Sequence, residues 1–75
     1  EIKVNPIKKD FALSKRESEV LSFLPTGATA TAIGGLLFLT EATIKTHLAS
    51  IYRKLGAANR AQAVSIALEN KLITN

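Results

Sequence analysis

The sequence predicts an all-α fold, a compact four-helix domain containing a helix-turn-helix. Three observations support this prediction. Apolar residues recur at spacings of three and four from Leu13 onward, capping residues stand where helices would begin, and no stretch shows the alternating polarity of a convincing strand. Seventy-five residues without an internal repeat make one small domain.

The first predicted helix has a complete start signal. Ser14 with Glu17 three residues later matches a capping box, and Leu13 can staple the entry. The helix ends at Pro25-Thr26-Gly27. The residues expected on its buried side are Val20, Leu21 and Leu24.

The second and fourth predicted helices are shorter. The second runs from about Thr29 to Leu37 and is the least secure, because Gly34 and Gly35 each cost roughly 1 kcal/mol relative to alanine. The fourth runs from Arg60 to Glu69 or Asn70. Its inward face is expected to hold Ala63, Ile66 and Ala67.

The third predicted helix carries the most information about function. Thr40 is a good N-cap, Glu41 suits the positive end of the helix dipole, and Gly56 can end the helix in a left-handed conformation. Spacings of four, three and four place one apolar stripe against the core, namely Ile44, Leu48, Ile51 and Leu55. Four residues then point outward, namely Lys45, Thr46, Ala49 and Arg53.

The charge pattern indicates what this outward face binds. No acidic residue lies between Glu41 and Glu69, whereas Lys45, Arg53, Lys54 and Arg60 all do. The chain has a net charge of +4 and a pI near 9.8, which favours an anionic partner, although surface lysines alone explain modest excesses in many domains. A basic face on a capped amphipathic helix predicts a DNA recognition helix.

Several other classes of protein find no support. Cysteine is absent, so disulfides and thiolate metal sites are excluded, and the single histidine, His47, has no partners for a metal or catalytic site. No paired carboxylates, phosphate-binding loop or activated nucleophile indicates an enzyme, and no cofactor is expected. The apolar run near 33–39 is too short to span a membrane, so a cytoplasmic, nucleoid-associated location is expected.

The chain begins at Glu1 rather than Met, which suggests a fragment or a processed product. Residues 1–12 read as a linker from a missing upstream domain, because EIKVNPIKKD contains Pro6, mixed charge and no helical period. Residues 13–75 then form the folded domain.

Specific motifs give a family resemblance. The runs LSKRESEVL at 13–21 and IGGLLFLTEATIKTHLASIYRKLGAANRAQAV at 33–64, with Gly27 between them, resemble the LuxR-type helix-turn-helix domain. This domain is the DNA-binding output module of bacterial NarL/FixJ response regulators and of quorum-sensing regulators. The resemblance covers about 11–73, and its most specific part is Thr-Ile-Lys-x-His-x-x-x-Ile-x-x-Lys-Leu-Gly at 43–56.

The resemblance implies roles for individual residues. Lys45, Thr46 and Ala49 match positions that enter the major groove, and Arg53 suits either base or phosphate contact. Thr43 and Lys54 match phosphate-contacting positions, and His47 is expected to contact phosphate or to make a packing hydrogen bond. Other members carry a longer polar residue at the position of Ala49, so this chain is expected to recognise fewer bases there.

The second helix departs further from the family pattern. Many members carry Asn-Lys-Glu where this chain has Ala30, Thr31 and Ala32, and the small residue that follows the isoleucine is Gly34. A phosphate-contacting lysine and a structural carboxylate are therefore missing. The departure predicts either a weaker but functional DNA-binding domain, which the intact third helix favours, or a domain that has drifted toward protein contact.

A stripe on the fourth helix predicts a homodimer. Ala61, Ser65 and Leu68 match where family members pair their last helices, with Leu68 expected to be exposed. A two-fold dimer predicts double-stranded DNA with an inverted-repeat operator, and RNA polymerase is a candidate partner. Two alternatives remain open: a sigma region-4-like promoter-binding module, and a helical interaction module without DNA affinity.

Overall fold

The computed structural model describes residues 11–73, and in this range the protein is entirely helical. The elements are α1 (Lys15–Ser22), a 3₁₀ turn (Leu24–Thr26), α2 (Ala30–Leu37), α3 (Glu41–Leu55) and α4 (Arg60–Glu69). This architecture confirms the predicted all-α, four-helix fold. Helices α2 and α3 form the helix-turn-helix.

Side-chain caps fix where the helices begin. Ser14 Oγ accepts from the Glu17 amide at 3.1 Å, and Glu17 Oε1 accepts from the Ser14 amide at 2.9 Å, so the predicted capping box is formed. Thr29, Thr40 and Asn59 each accept a hydrogen bond from the amide three residues on. Each α-helix therefore starts with one of its otherwise unsatisfied amides bonded.

Helix α3 is the centre of the domain. It packs against α1, α2 and α4, and two of its residues, Ile44 and Ile51, are fully buried. Leu55 is also buried, whereas Leu48 is half-buried. The predicted apolar stripe is thus confirmed as the inward face. Because α1, α2 and α4 pack against the inward face, α3 cannot rotate about its axis, and its opposite face is held toward solvent.

At two points the structure differs in detail from the sequence prediction. Helix α1 ends at Ser22, and Leu24 is buried as the first residue of the 3₁₀ turn rather than as part of the helix itself. Phe11, which lies within the predicted linker 1–12, is buried in the core. The linker prediction for residues 1–10 lies outside the described residues.

Gly34 is required by the turn of the helix-turn-helix. A Cβ at this position would lie 2.5 Å from the carbonyl oxygen of Leu39, which no real side chain tolerates. Phe38 adopts a left-handed backbone with φ 60°, which turns the chain so that the Leu39 amide donates to the Gly34 carbonyl at 2.8 Å. The glycine that costs helix propensity therefore permits the close approach of the turn to α2.

The fourth helix differs from prediction at one residue. Ala63 and Ala67 are fully buried, as predicted, and Ile66 is half-buried. Leu68 was expected to be exposed, but it is half-buried and packs against the core of its own chain. The large apolar side chains that are exposed among the described residues are Leu36 and Phe38 instead.

Candidate nucleic-acid interface

The outward face of α3 presents a narrow set of side chains. Lys45, Thr46, Ala49 and Arg53 are all exposed. At about 100° per residue, these positions fall within an arc of about 100°, opposite the stripe that packs on the core. The four residues predicted to contact bases therefore share one face of a rigidly packed helix.

The three predicted phosphate-contacting residues lie along one flank of α3, between its outward face and the face that packs on the core. Thr43, His47 and Lys54 are each half-buried, and the helical period places them within about 40° of one another. Thr43 already takes part in the cap, because its Oγ1 accepts from Thr40 Oγ1 at 2.9 Å. The flank is thus an edge of the helix where side chains pass from core to surface.

Lys54 has partners within the protein that the sequence analysis did not predict. Its Nζ lies 2.7 Å from Glu17 Oε1 in an ion pair and donates to the Ala12 carbonyl at 3.0 Å. Ser50 Oγ donates to the other carboxylate oxygen of Glu17 at 2.6 Å. Glu17, predicted only as a cap partner, therefore joins α1 to two successive turns of α3.

The electrostatics of Glu17 follow from these contacts. The hydrogen bond from Lys54, with those from Ser50 and the Ser14 amide, lowers the pKa of the Glu17 carboxyl to about 2, although burial acts in the opposite direction. Glu17 is only 6% exposed, and its charge is retained because Lys54, Ser50 and the Ser14 amide all donate to it. Lys54 has one ammonium N–H left for a phosphate.

Lys45 is in a different environment at the start of the same helix. Its Nζ lies 3.0 Å from Glu41 Oε2, and the side chains are 66% and 49% exposed. Hydrogen bonds from Lys45, and then from Thr31 of α2, lower the pKa of the Glu41 carboxyl. Lys45, the lysine predicted to contact bases, is therefore exposed to solvent and also paired with Glu41.

Two further outward side chains have weak internal contacts. Thr46 Oγ1 donates to the Ala42 carbonyl at 3.1 Å, which leaves the oxygen lone pairs free to accept and leaves the residue exposed. Arg53 Nη2 reaches Ser50 Oγ at 3.5 Å, the outer limit of a hydrogen bond. Most of the donors of Arg53 remain available to an incoming ligand.

Helix α2 contributes no charge to the interface. Its sequence, ATAIGGLL, contains no ionisable residue, and its exposed surface near the turn is apolar, with Leu36 59% and Phe38 94% exposed. The positive charge of the helix-turn-helix thus comes from α3.

Within residues 11–73, no group of three or more His, Cys, Asp or Glu is arranged to hold a metal ion. In the same range, no helix is long and apolar enough to cross a membrane. The arrangement offers cationic and hydroxyl groups that can bind an anionic, groove-bearing polymer.

Comparison with known proteins gives a consistent result. The family described as bacterial regulatory proteins, luxR family, matches residues 12–67. The transcriptional activator protein BjaR1 of Bradyrhizobium diazoefficiens is 46% identical over 61 residues, which is 81% of this chain and 25% of that protein. The CsgBAC operon transcriptional regulatory protein of Escherichia coli is 45% identical over 58 residues, which is 77% of this chain and 27% of that protein.

A solved structure agrees with these relatives. The crystal structure of the response regulator ChrA, from a heme-sensing two component system, superposes with a TM-score of 0.79 at 47% identity. The match covers 83% of this chain and 31% of ChrA. The chain spans about a quarter of the length of the curated relatives it matches.

Proposed function

Because the chain belongs to the luxR family of bacterial regulatory proteins and is a helix-turn-helix DNA-binding domain of that family, we propose that α3 enters the major groove of double-stranded DNA. The observation that carries this proposal is the exposed arc of α3, held in place by three helices behind it. Family membership removes the sigma region-4-like alternative, and the names of the relatives agree with the expectation that the chain is not an enzyme.

The outward arc supplies groups that suit base edges. Lys45 donates to guanine O6 or N7, and Thr46 accepts or donates a hydrogen bond or offers its methyl group. Ala49 contacts a thymine methyl group, which is a weak reading of sequence. Arg53, with free donors, binds a base or a nearby phosphate.

The flank of α3 suits the phosphate backbone. Thr43, His47 and Lys54 lie at the edge of the helix, where they would meet a groove wall rather than its floor. Lys54 would share its charge between a phosphate and Glu17, so its contribution to DNA affinity is smaller than that of an unpaired lysine. These contacts set the position of α3 without reading sequence.

The neutral surface of α2 favours a DNA-binding domain of reduced affinity. With Ala30, Thr31 and Ala32 at the start of α2, no cation there faces the backbone. The basic arc of α3 supports DNA binding that persists without a cation on α2. Of the two explanations for the unusual α2 sequence, we therefore retain weaker DNA binding rather than loss of DNA contact.

Pairing of protomers through α4 is the second part of the proposal. Ala61 and Ser65 are exposed and small, so two such helices can approach closely. Leu68 is partly covered by its own core and would add only its exposed edge. Such a dimer places two recognition helices about one DNA turn apart, on an inverted-repeat operator. RNA polymerase as a further partner and the nucleoid of the cytoplasm as the location follow from the same proposal.

Binding of DNA is tested by fluorescence anisotropy with a long labelled duplex at several salt concentrations. Neutralisation of about four to six phosphates per protomer predicts a fall of one to several decades in affinity between low and physiological salt. Absence of binding even at low salt would favour the helical interaction module instead.

Pairing is tested on a duplex carrying two half-sites. Ser65→Glu should abolish cooperative occupation, because it places two carboxylates face to face, while single half-site binding persists. Ser18→Glu, the same exchange on an exposed position of α1, is the control and should keep cooperativity. Cooperative occupation by the Ser65 variant would place the interface elsewhere.

A further inference from the structure

The ammonium group of Lys45 is held by an ion pair within the first two turns of α3. Lys45 Nζ lies 3.0 Å from Glu41 Oε2, one turn earlier on α3. Thr31, on the first turn of α2, contributes after Lys45 to the lowered pKa of the Glu41 carboxyl. Glu41 is the only acidic residue of α3, and it stands beside the outward arc rather than away from it.

An unpaired lysine reads DNA poorly. Its ammonium is a compact charge on a flexible four-carbon stem, so it exchanges between a base edge and the surrounding phosphates. The phosphates attract it in every sequence, whereas the base edge attracts it in only some. A group that keeps the ammonium over the groove floor would therefore raise discrimination and lower general affinity.

We propose that Glu41 is a specificity-determining positioning residue, which orients Lys45 toward a base through the Glu41–Lys45 ion pair and does not itself contact DNA. This inference rests on the proposed function of α3. Thr31 occupies the place of the lysine that many members carry in α2. In this chain, that position carries no charge that would compete with Lys45 for Glu41.

The position of Glu41 suits this role. As the first residue of α3, its carboxylate is stabilised by the helix dipole, and a Glu four residues before a Lys is the favourable orientation. In free protein the pair is exposed and weak. When DNA excludes water, the attraction strengthens, and the negative carboxylate also repels the phosphates that compete for Lys45.

The experiment measures binding of duplexes that carry the selected site or a single base change at each position. Glu41→Gln should reduce the preference at the position read by Lys45 about threefold, the size of one exposed ion pair, and should raise affinity for unrelated duplexes.

Two further variants separate positioning from other effects. Glu19→Gln removes an exposed glutamate of α1 that pairs with Arg16 at 3.0 Å, and it should leave the preference unchanged. In a Lys45→Ala background, Glu41→Gln should no longer change the preference. Helical content by circular dichroism confirms that each variant is folded.

The outcomes distinguish the inference from the proposed function. If Glu41→Gln raises affinity for all duplexes equally and leaves the preference unchanged, Glu41 acts only as a charge and the inference is overturned. If it changes the preference even without Lys45, Glu41 contacts a base directly, which also overturns it. If wild-type protein shows no preference at all, the proposed function fails first.

Discussion

Helix α3 takes part in two glutamate–lysine ion pairs whose environments are opposite. In Glu17–Lys54 the two side chains are 8% and 29% exposed, the atoms lie 2.7 Å apart, and the pair joins two helices. In Glu41–Lys45 the side chains are 49% and 66% exposed, the atoms lie 3.0 Å apart, and the pair lies within one helix. The same two residue types thus form an exposed pair at the start of α3 and a largely buried pair near its end.

The difference shows how burial decides what an ion pair does. Breaking the inner pair would leave a charge facing protein, which costs far more than the pair's net attraction. Breaking the outer pair returns both groups to water at little cost. The inner pair therefore fixes where α3 lies, and the outer pair is available to tune what α3 binds.

The largest expected effect comes from breaking the inner pair. Glu17→Gln removes the carboxylate that accepts from Lys54, Ser50 and the Ser14 amide, so it should lower the free energy of unfolding by about 3 kcal/mol. Urea denaturation measures this change. Glu19→Gln breaks an exposed pair on the same helix and should change stability by under about 0.5 kcal/mol. Equal effects of the two variants would remove the contrast.

The same pair predicts how stability depends on pH. The pKa of Glu17 is about 2 in the folded protein and 4.5 without its partners, so the unfolded chain takes up the proton first as pH falls. Its contribution, about 2 kcal/mol after allowance for partial exposure of Lys54, is complete above pH 5 and is lost as pH falls toward 2. Denaturation midpoints between pH 7 and 3 should show this loss, and Glu17→Gln should show less of it.

A smaller effect is expected when α2 regains a cation. Thr31→Lys adds a positive charge where many family members have one, so affinity for all duplexes should rise and the salt slope should steepen by about one. Because the new lysine competes for Glu41, the preference read by Lys45 should weaken slightly. An unchanged salt slope would show that the start of α2 does not approach the backbone.

The sequence predicted the helices closely because their signals are local. Ser14, Thr40 and Gly56 act on amides and carbonyls within a few residues, and the spacing from Ile44 to Leu55 defines one face without reference to the rest of the chain. The outward arc, which is the complement of that face, was predicted for the same reason.

What the sequence did not predict depends on contacts between distant residues. Lys54 is 37 residues from Glu17, and nothing in either segment states that they meet. Leu68 was expected to be exposed because helical spacing ignores how the rest of the chain covers α4. Gly34 is expected from the sequence only to weaken α2, since the approach of the Leu39 carbonyl exists only once the turn has formed.

The most direct test of the central claim, that the outward arc of α3 reads sequence, is selection of bound duplexes from a random pool with wild-type protein and with Lys45→Ala. Since Lys45 is exposed, the variant should fold normally and lose preference at one position per half-site, a cost of roughly 1–3 kcal/mol there. The remaining positions should be selected as before. Recovery of an identical motif with both proteins would contradict the assignment of α3 to the major groove.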